Sequence, residues 1–225
     1  MTHVRDEPAL RQAIIAACRR LRDIGYFVGT WGNIGVRVAD GLLVTPTRLD
    51  YEVMQPDDLV LVSFVGKRLA GRRFPSSEME LHRAVLASRP DLGAVVHTHS
   101  PYATVVAAAR RSLPVCVEDM AQVIGGEVRC ARYVPGGRHR QLGRAACEAL
   151  GDSAAVLLAN HGAVVCGRDL AEAVVAAQVL EKAALVFVLS QSLGGATTIP
   201  SDLVAEERHR FLHKYGTAAD QMPTP

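Results

Sequence analysis

No two cysteines of this 225-residue chain form a CxxC pair: Cys18, Cys116, Cys130, Cys147 and Cys166 are odd in number and widely spaced. That spacing excludes a disulfide framework and a cysteine-built zinc knuckle. Most of the five have apolar neighbours, which predicts small core residues in a reducing cytoplasm. Blocks of like charge are also missing. With 25 Lys and Arg against 23 Asp and Glu, the formal net charge is +2. The pairs Arg19-Arg20, Arg72-Arg73 and Arg110-Arg111 are scattered, so they read as solvated helix and turn positions rather than a nucleic-acid surface. Met1 to Glu7 has no apolar h-region, so no secretory signal is expected. No apolar run approaches the roughly 20 residues of a membrane span. Neither a repeat nor a low-complexity linker is found, and Gly194-Gly195 stands too near the end to mark a domain boundary. What remains is one cytoplasmic domain over residues 1–225 with a full hydrophobic core and neither nucleic acid nor membrane as partner.

What is present is an alternation of helical and extended patterns. Leu10, Ile14, Ala17, Leu21 and Ile24 have helical spacing, and Gly25 stands where a helix ends. Strand-like runs follow at Ile34 to Val38 and Leu42 to Thr45 across an Asp40-Gly41 hairpin signal, then at Leu59 to Phe64 and after Gly66-Lys67. A helix is predicted from Ser76-Ser77 to before Pro90, a buried strand over Ala94 to His99, and a helix from Pro101 to Arg111. After a weaker stretch come a helix over Gln141 to Leu150 and strands at Ala154 to Ala159 and Ala163 to Cys166. Helices over Asp169 to Leu193 and Ser201 to Lys214 complete the pattern, and the tail after Gly216 is expected to fray. The pattern is that of one α/β domain.

Three motifs carry chemistry. In Val95-Val96-His97-Thr98-His99 the two imidazoles are two residues apart on a strand, so both leave the same face within reach of one ion. A third ligand is supplied by Asn160-His161-Gly162, at the end of another buried strand. Together His97, His99 and His161 form a neutral nitrogen set suited to a catalytic zinc with one position open, although imidazole also accepts Mn2+, Co2+ or Fe2+. In Pro75-Ser76-Ser77-Glu78-Met79-Glu80, Ser77 and Glu80 fit an S-x-x-E capping box. A helix start with two hydroxyls suits a phosphate, and Glu78 beside the ion would serve as general base. The glycine-rich Gly29 to Gly35, with Thr30 and Asn33, and the run Thr45-Pro46-Thr47-Arg48 are further anion candidates. The first lacks the lysine and the spacing of nucleotide loops.

In this order the motifs GTWGNIGVR, TPTRLDY, PSSEMELH, VVHTHSPYAT and ANHG resemble the class II aldolase/adducin-head family over roughly residues 8 to 216. The resemblance implies a central, mainly antiparallel sheet flanked by helices, and a homotetramer with active sites at subunit interfaces. It also implies metal ligation by His97, His99 and His161. Glu78 would be the catalytic acid/base and a ligand while substrate is absent. Phosphate contacts fall on Gly32, Asn33, Thr47, Arg48, Ser76 and Ser77, and Tyr215 is a proton donor. The implied activity is zinc-dependent cleavage of a ketose 1-phosphate, of the fuculose 1-phosphate kind, to dihydroxyacetone phosphate and an aldehyde. Sugar-phosphate epimerases, dehydratases and decarboxylases of the family are alternatives. Glu78 favours an aldolase, because the epimerases carry Asp there. A non-catalytic, adducin-head-like interaction module is the alternative of another class, and it would need none of the ligand set. Three residues depart from the pattern: Gly35 replaces a serine, Arg48 a glycine, and Glu118 stands in the place of a tyrosine.

Overall fold

The computed structural model describes residues 7–215. The tail after Gly216 and nearly all of the polar N-terminus lie outside the described residues. Helix α1 (Glu7–Asp23) leads into the hairpin β1 (Asn33–Val38) and β2 (Gly41–Val44), then β3 (Val60–Val62) and β4 (Arg68–Ala70). Helix α2 (Met79–Ser88), strand β5 (Ala94–Thr98), helices α3 (Pro101–Ala108) and α4 (Glu118–Val123), and the short strand β6 (Cys130–Ala131) follow. The chain then runs through α5 (His139–Leu150), β7 (Ala155–Leu158), β8 (Gly162–Gly167), α6 (Leu170–Ser190) and α7 (Ser201–His213). Among the described residues eight strands form one sheet in the order β4-β3-β2-β1-β5-β8-β7-β6. Every pairing is antiparallel except β6 with β7. This is the mixed α/β domain with a mainly antiparallel sheet that the resemblance implies.

The strands read as continuous apolar runs because both sheet faces are covered. Ile34, Val36, Leu43, Val96, Leu157 and Val165 share a core with α1, α3, α4 and α6. Their neighbours Leu42, Val44, Val95, Val156, Val164 and Cys166 share a second core with α2 and α5. Side chains alternate along a strand, so Asn33, Gly35 and His97 project onto the α2 side together with Val95. Asn33 lies opposite His97 in the β1–β5 register.

Several sequence expectations need correction. The capping box does not form: the N-cap is Glu78, without a side-chain cap bond, and the Glu80 carboxylate instead takes hydrogen bonds from Arg83 at 2.6 and 3.2 Å. Arg83 is the nearer and stronger donor, since a guanidinium offers two N–H groups to one carboxylate. The hairpin turns on Ala39-Asp40, with Gly41 already paired to Val38. Only Cys18 and Cys166 are buried, while Cys116, Cys130 and Cys147 are half-buried. Leu170–Leu193 is long and apolar enough to cross a membrane by length and composition, contrary to expectation. Half of that stretch is buried against the sheet and neighbouring helices, so its apolar length serves the core. The weak stretch holds α4 and β6, neither of them visible in the periodicity.

Candidate metal centre

His97 is the penultimate residue of β5 and is fully buried; its Nδ1 donates to the Ala163 carbonyl of β8 at 2.9 Å. That bond commits Nδ1 as a donor and turns Nε2 toward the cluster, the orientation usual for a metal-ligating histidine. His99 follows the strand end, its backbone N–H held by the Tyr26 carbonyl at 3.0 Å. His161 sits in the tight turn between β7 and β8, where Asn160 adopts a left-handed conformation (φ 56°). There a side chain on Gly162 would meet the Thr98 carbonyl at 2.3 Å. The Asn-His-Gly run is therefore dictated by backbone: a residue tolerant of positive φ, the candidate ligand, and a residue without Cβ.

The three rings stand edge to face at 4.8, 4.8 and 5.0 Å between centroids. Among the described residues they form the one group of three or more His, Cys, Asp or Glu side chains whose ligand atoms converge, all within 4.8 Å of one another. His97 Nε2 and His99 Nε2 face each other at 2.9 Å. Glu78 closes the cluster, with Oε2 3.2 Å from His97 Nε2 and Oε1 3.2 Å from His161 Nε2. Burial alone would raise the Glu78 carboxyl, but the charge of His97 and hydrogen bonds from His161, His97 and Asn33 hold it well below the usual carboxylate range. Conversely, burial would lower His97, yet the Glu78 carboxylate raises it. Burial and the like charge of His97 and His161 push His99 down to about 3. Three imidazole nitrogens crowded on one point beside a carboxylate are what a divalent cation would relieve, so the donor set fits a resident metal.

The remaining site residues follow the edge beside this cluster. Backbone hydrogen bonds tie the three loops together: Thr45 N–H to the Ile34 carbonyl, Ser76 N–H to the Thr45 carbonyl, and Thr47 N–H to the Phe74 carbonyl. Gly32-Asn33, Thr47-Arg48 and Ser76-Ser77 thus belong to one joined surface. Ser76 is buried, its Oγ accepting from the Glu78 N–H at 3.2 Å, while Ser77 is exposed. Arg48 is exposed and holds a left-handed φ of 55°, where the resemblance implies glycine. The Asn33 side chain is committed elsewhere, donating to Glu78 Oε2 at 2.9 Å and meeting His82 through Oδ1. Tyr215 is 59% exposed, its ring 5.4 Å from that of Phe211. Glu118 sits at the start of α4 with its carboxylate 3.8 Å from Arg210.

Two residues without a sequence assignment stand close by. Trp31, 68% exposed, lies with its ring 6.0 Å from that of His99. His82 is fully buried beneath Asn33. Its position four residues after Glu78, on the same helical face, is the signal that could have found it.

A model of the class II aldolase and adducin N-terminal domain matches residues 12–188. The chain belongs to the class II aldolase and adducin family. It is 37% identical over 219 residues to the 5-methylthioribulose-1-phosphate/5-deoxyribulose-1-phosphate aldolase of Rhodospirillum rubrum, covering 96% of each chain. With the 5-deoxy-D-ribulose 1-phosphate aldolase of Bacillus thuringiensis it shares 35% identity over 203 residues, 89% of this chain and 94% of the other. A solved L-fuculose 1-phosphate aldolase superposes with a TM-score of 0.87 at 30% identity, over 91% of this chain and 96% of that one. This class II aldolase family member therefore resembles enzymes acting on more than one ketose phosphate, not fuculose phosphate alone.

Proposed function

We propose that this protein is a metal-dependent aldolase cleaving a ketose 1-phosphate with a short, apolar-ended tail, of the 5-deoxypentulose or 5-methylthiopentulose kind. The observation that carries the reading is the convergence of His97, His99 and His161 on Glu78. A divalent ion held there, Zn2+ or alternatively Mn2+, Co2+ or Fe2+, supplies Lewis-acid stabilisation of negative charge on the substrate oxygens when bound. The chain's own groups do the rest. In the cleavage direction the C4 hydroxyl gives up its proton and the C3–C4 bond breaks. Its electron pair stays on C3, conjugated with the C2 carbonyl, and C4 leaves as the aldehyde. Glu78 carries the proton to or from C3, and Tyr215 of a neighbouring subunit handles the C4 hydroxyl in a homotetramer. The hydroxyls and amides of Thr47, Ser76 and Ser77, the Arg48 guanidinium and the Gly32-Asn33 backbone hold the phosphate, so remote binding energy fixes the reacting carbons.

The apolar tail is supported by the names of two relatives and by Trp31, an exposed indole beside His99 that offers a hydrophobic wall and no hydrogen-bond acceptor. The test is proton NMR of dihydroxyacetone phosphate in D2O with the zinc-loaded protein, then with a chelator. Stereospecific loss of one C3 proton, stopped by the chelator, is expected. Condensation should then be faster with acetaldehyde or (methylthio)acetaldehyde than with lactaldehyde. Absence of exchange in a zinc-loaded sample overturns the aldolase reading, and a preference for lactaldehyde overturns the substrate class.

A further inference from the structure

Beneath the candidate metal centre lies a fourth imidazole, outside the converging three. His82, on α2, is 0% exposed. Its Nε2 meets Asn33 Oδ1, and Asn33 Nδ2 donates to Glu78 Oε2 at 2.9 Å. A carboxylate accepts only, so Asn33 must turn its NH2 toward Glu78 and its oxygen toward His82. His82 must then be the donor, protonated on Nε2. Its other nitrogen, Nδ1, is buried on the side of the Val95 backbone. Backbone makes the room: a Cβ on Gly35 would meet the His82 ring at 2.8 to 2.9 Å. The serine that the family resemblance implies at position 35 would have to push this ring aside. Gly35 thus leaves the His82 ring its space.

We propose that His82 is a positioning residue that locks the Asn33 amide, through Nε2–H to Oδ1, so that the amide N–H holds Glu78 in place for proton transfer at C3. Asn33 lies opposite His97 in the sheet, so the relay runs directly beside a ligand strand and sets Glu78 against the ion's ligands. Without the donor at position 82 the Asn33 oxygen is orphaned, and the amide is free to turn its own oxygen on the carboxylate. Glu78 then swings away from its bond. This inference rests on the aldolase reading only for its kinetic consequence.

The experiment compares wild type, His82→Leu and His82→Gln. Gln keeps a donor able to reach Asn33, whereas Leu fills the space without one. In the metal-free proteins the Asn33 side-chain amide pair, assigned by its loss in Asn33→Ser, is followed by 15N NMR. Zinc affinity is followed by the fluorescence of Trp31, the single tryptophan of the chain. Kinetics are followed as C3-proton exchange of dihydroxyacetone phosphate. Expected for Leu are a displaced Asn33 amide resonance and an exchange kcat lower by about tenfold or more, with KM changed less than about twofold, in the range of lost second-layer contacts. Gln should restore the resonance and most of the kcat. Wild-type kcat with an unmoved amide in His82→Leu overturns the proposal, as does equal loss in Leu and Gln, which marks a packing role. If wild type shows no exchange, the aldolase reading fails, and the amide resonance and zinc affinity still decide the role of His82.

Discussion

Two carboxylates are buried to a similar degree in this protein, Glu78 at 9% exposure and Glu181 at 6%, and their partners differ in kind. Glu181, on α6, accepts the backbone N–H groups of Tyr102 and Ala103 at 2.7 and 2.8 Å, at the start of α3. Those donors are fixed in place and otherwise unsatisfied, and the helix dipole adds to them. Glu78 is instead held by side chains that titrate, ligate or flip: His97, His161 and Asn33. A carboxylate satisfied by backbone secures the fold, here the turn that carries His99 into α3. One satisfied by imidazoles keeps a charge available for chemistry.

The sharpest way to break that contrast is to neutralise each acid. Glu78→Gln should leave the fold intact and lower C3-proton exchange by about 10² or more, the order expected for loss of a positioned general base. Exchange at the wild-type rate would remove Glu78 from its role. Glu181→Gln should do the reverse. The loss of a charge-assisted acceptor at a helix start costs about 1–3 kcal/mol of stability, with exchange by the folded fraction within a few-fold of wild type. A thermal melt in which only the Glu78 variant is destabilised would invert the comparison.

Zinc should stabilise the Glu78 region and leave Glu181 indifferent. At a free zinc concentration about 100 times its Kd the melting free energy should rise by about 2.7 kcal/mol, and the gain should vanish in a variant lacking His97 and His161 but persist in Glu181→Gln. Calorimetry with and without chelator checks it. Gly35→Ser should cost about 1–3 kcal/mol by overpacking His82 and should slow exchange as well. A silent substitution would show that the ring has room to move.

The smallest effect is a pH slope. Burial, aided by the charge of His97, pushes His82 down to about 3, so the folded state stays neutral while the unfolded chain binds a proton below about 6.5. The unfolded state thus holds more protons in that window, and stability falls as pH drops from about 6.5 toward 3. In metal-free protein, His82→Gln should flatten this slope by up to about 1.4 kcal/mol per pH unit, while the similarly depressed His99 keeps its share. Denaturant titrations across that range would expose an unchanged slope.

Much of this protein was legible in its sequence because it is written locally. Residues two apart on a strand share a face, which placed His97 and His99 together. A polar Asn-His-Gly after an apolar run marked a strand end, and the long helices announced themselves by periodicity. The α4–β6 stretch was not legible. A six-residue helix and a two-residue strand have too few residues to show a period, and distant partners hold them: the Leu113–Val128 bridge and Arg208 on the carbonyls of Gln122 and Val123. Nor did the false capping box betray itself, since Ser77 and Glu80 fit the pattern and only the folded chain offers Glu80 the guanidinium of Arg83. Sequence alone determined which candidate ligands exist and on which kinds of element they stand. Tertiary structure alone decided that Asn33 lies opposite His97 and that Gly35 leaves space for His82. Strand register is set by whole sheet faces seeking burial, a condition no short stretch of chain contains.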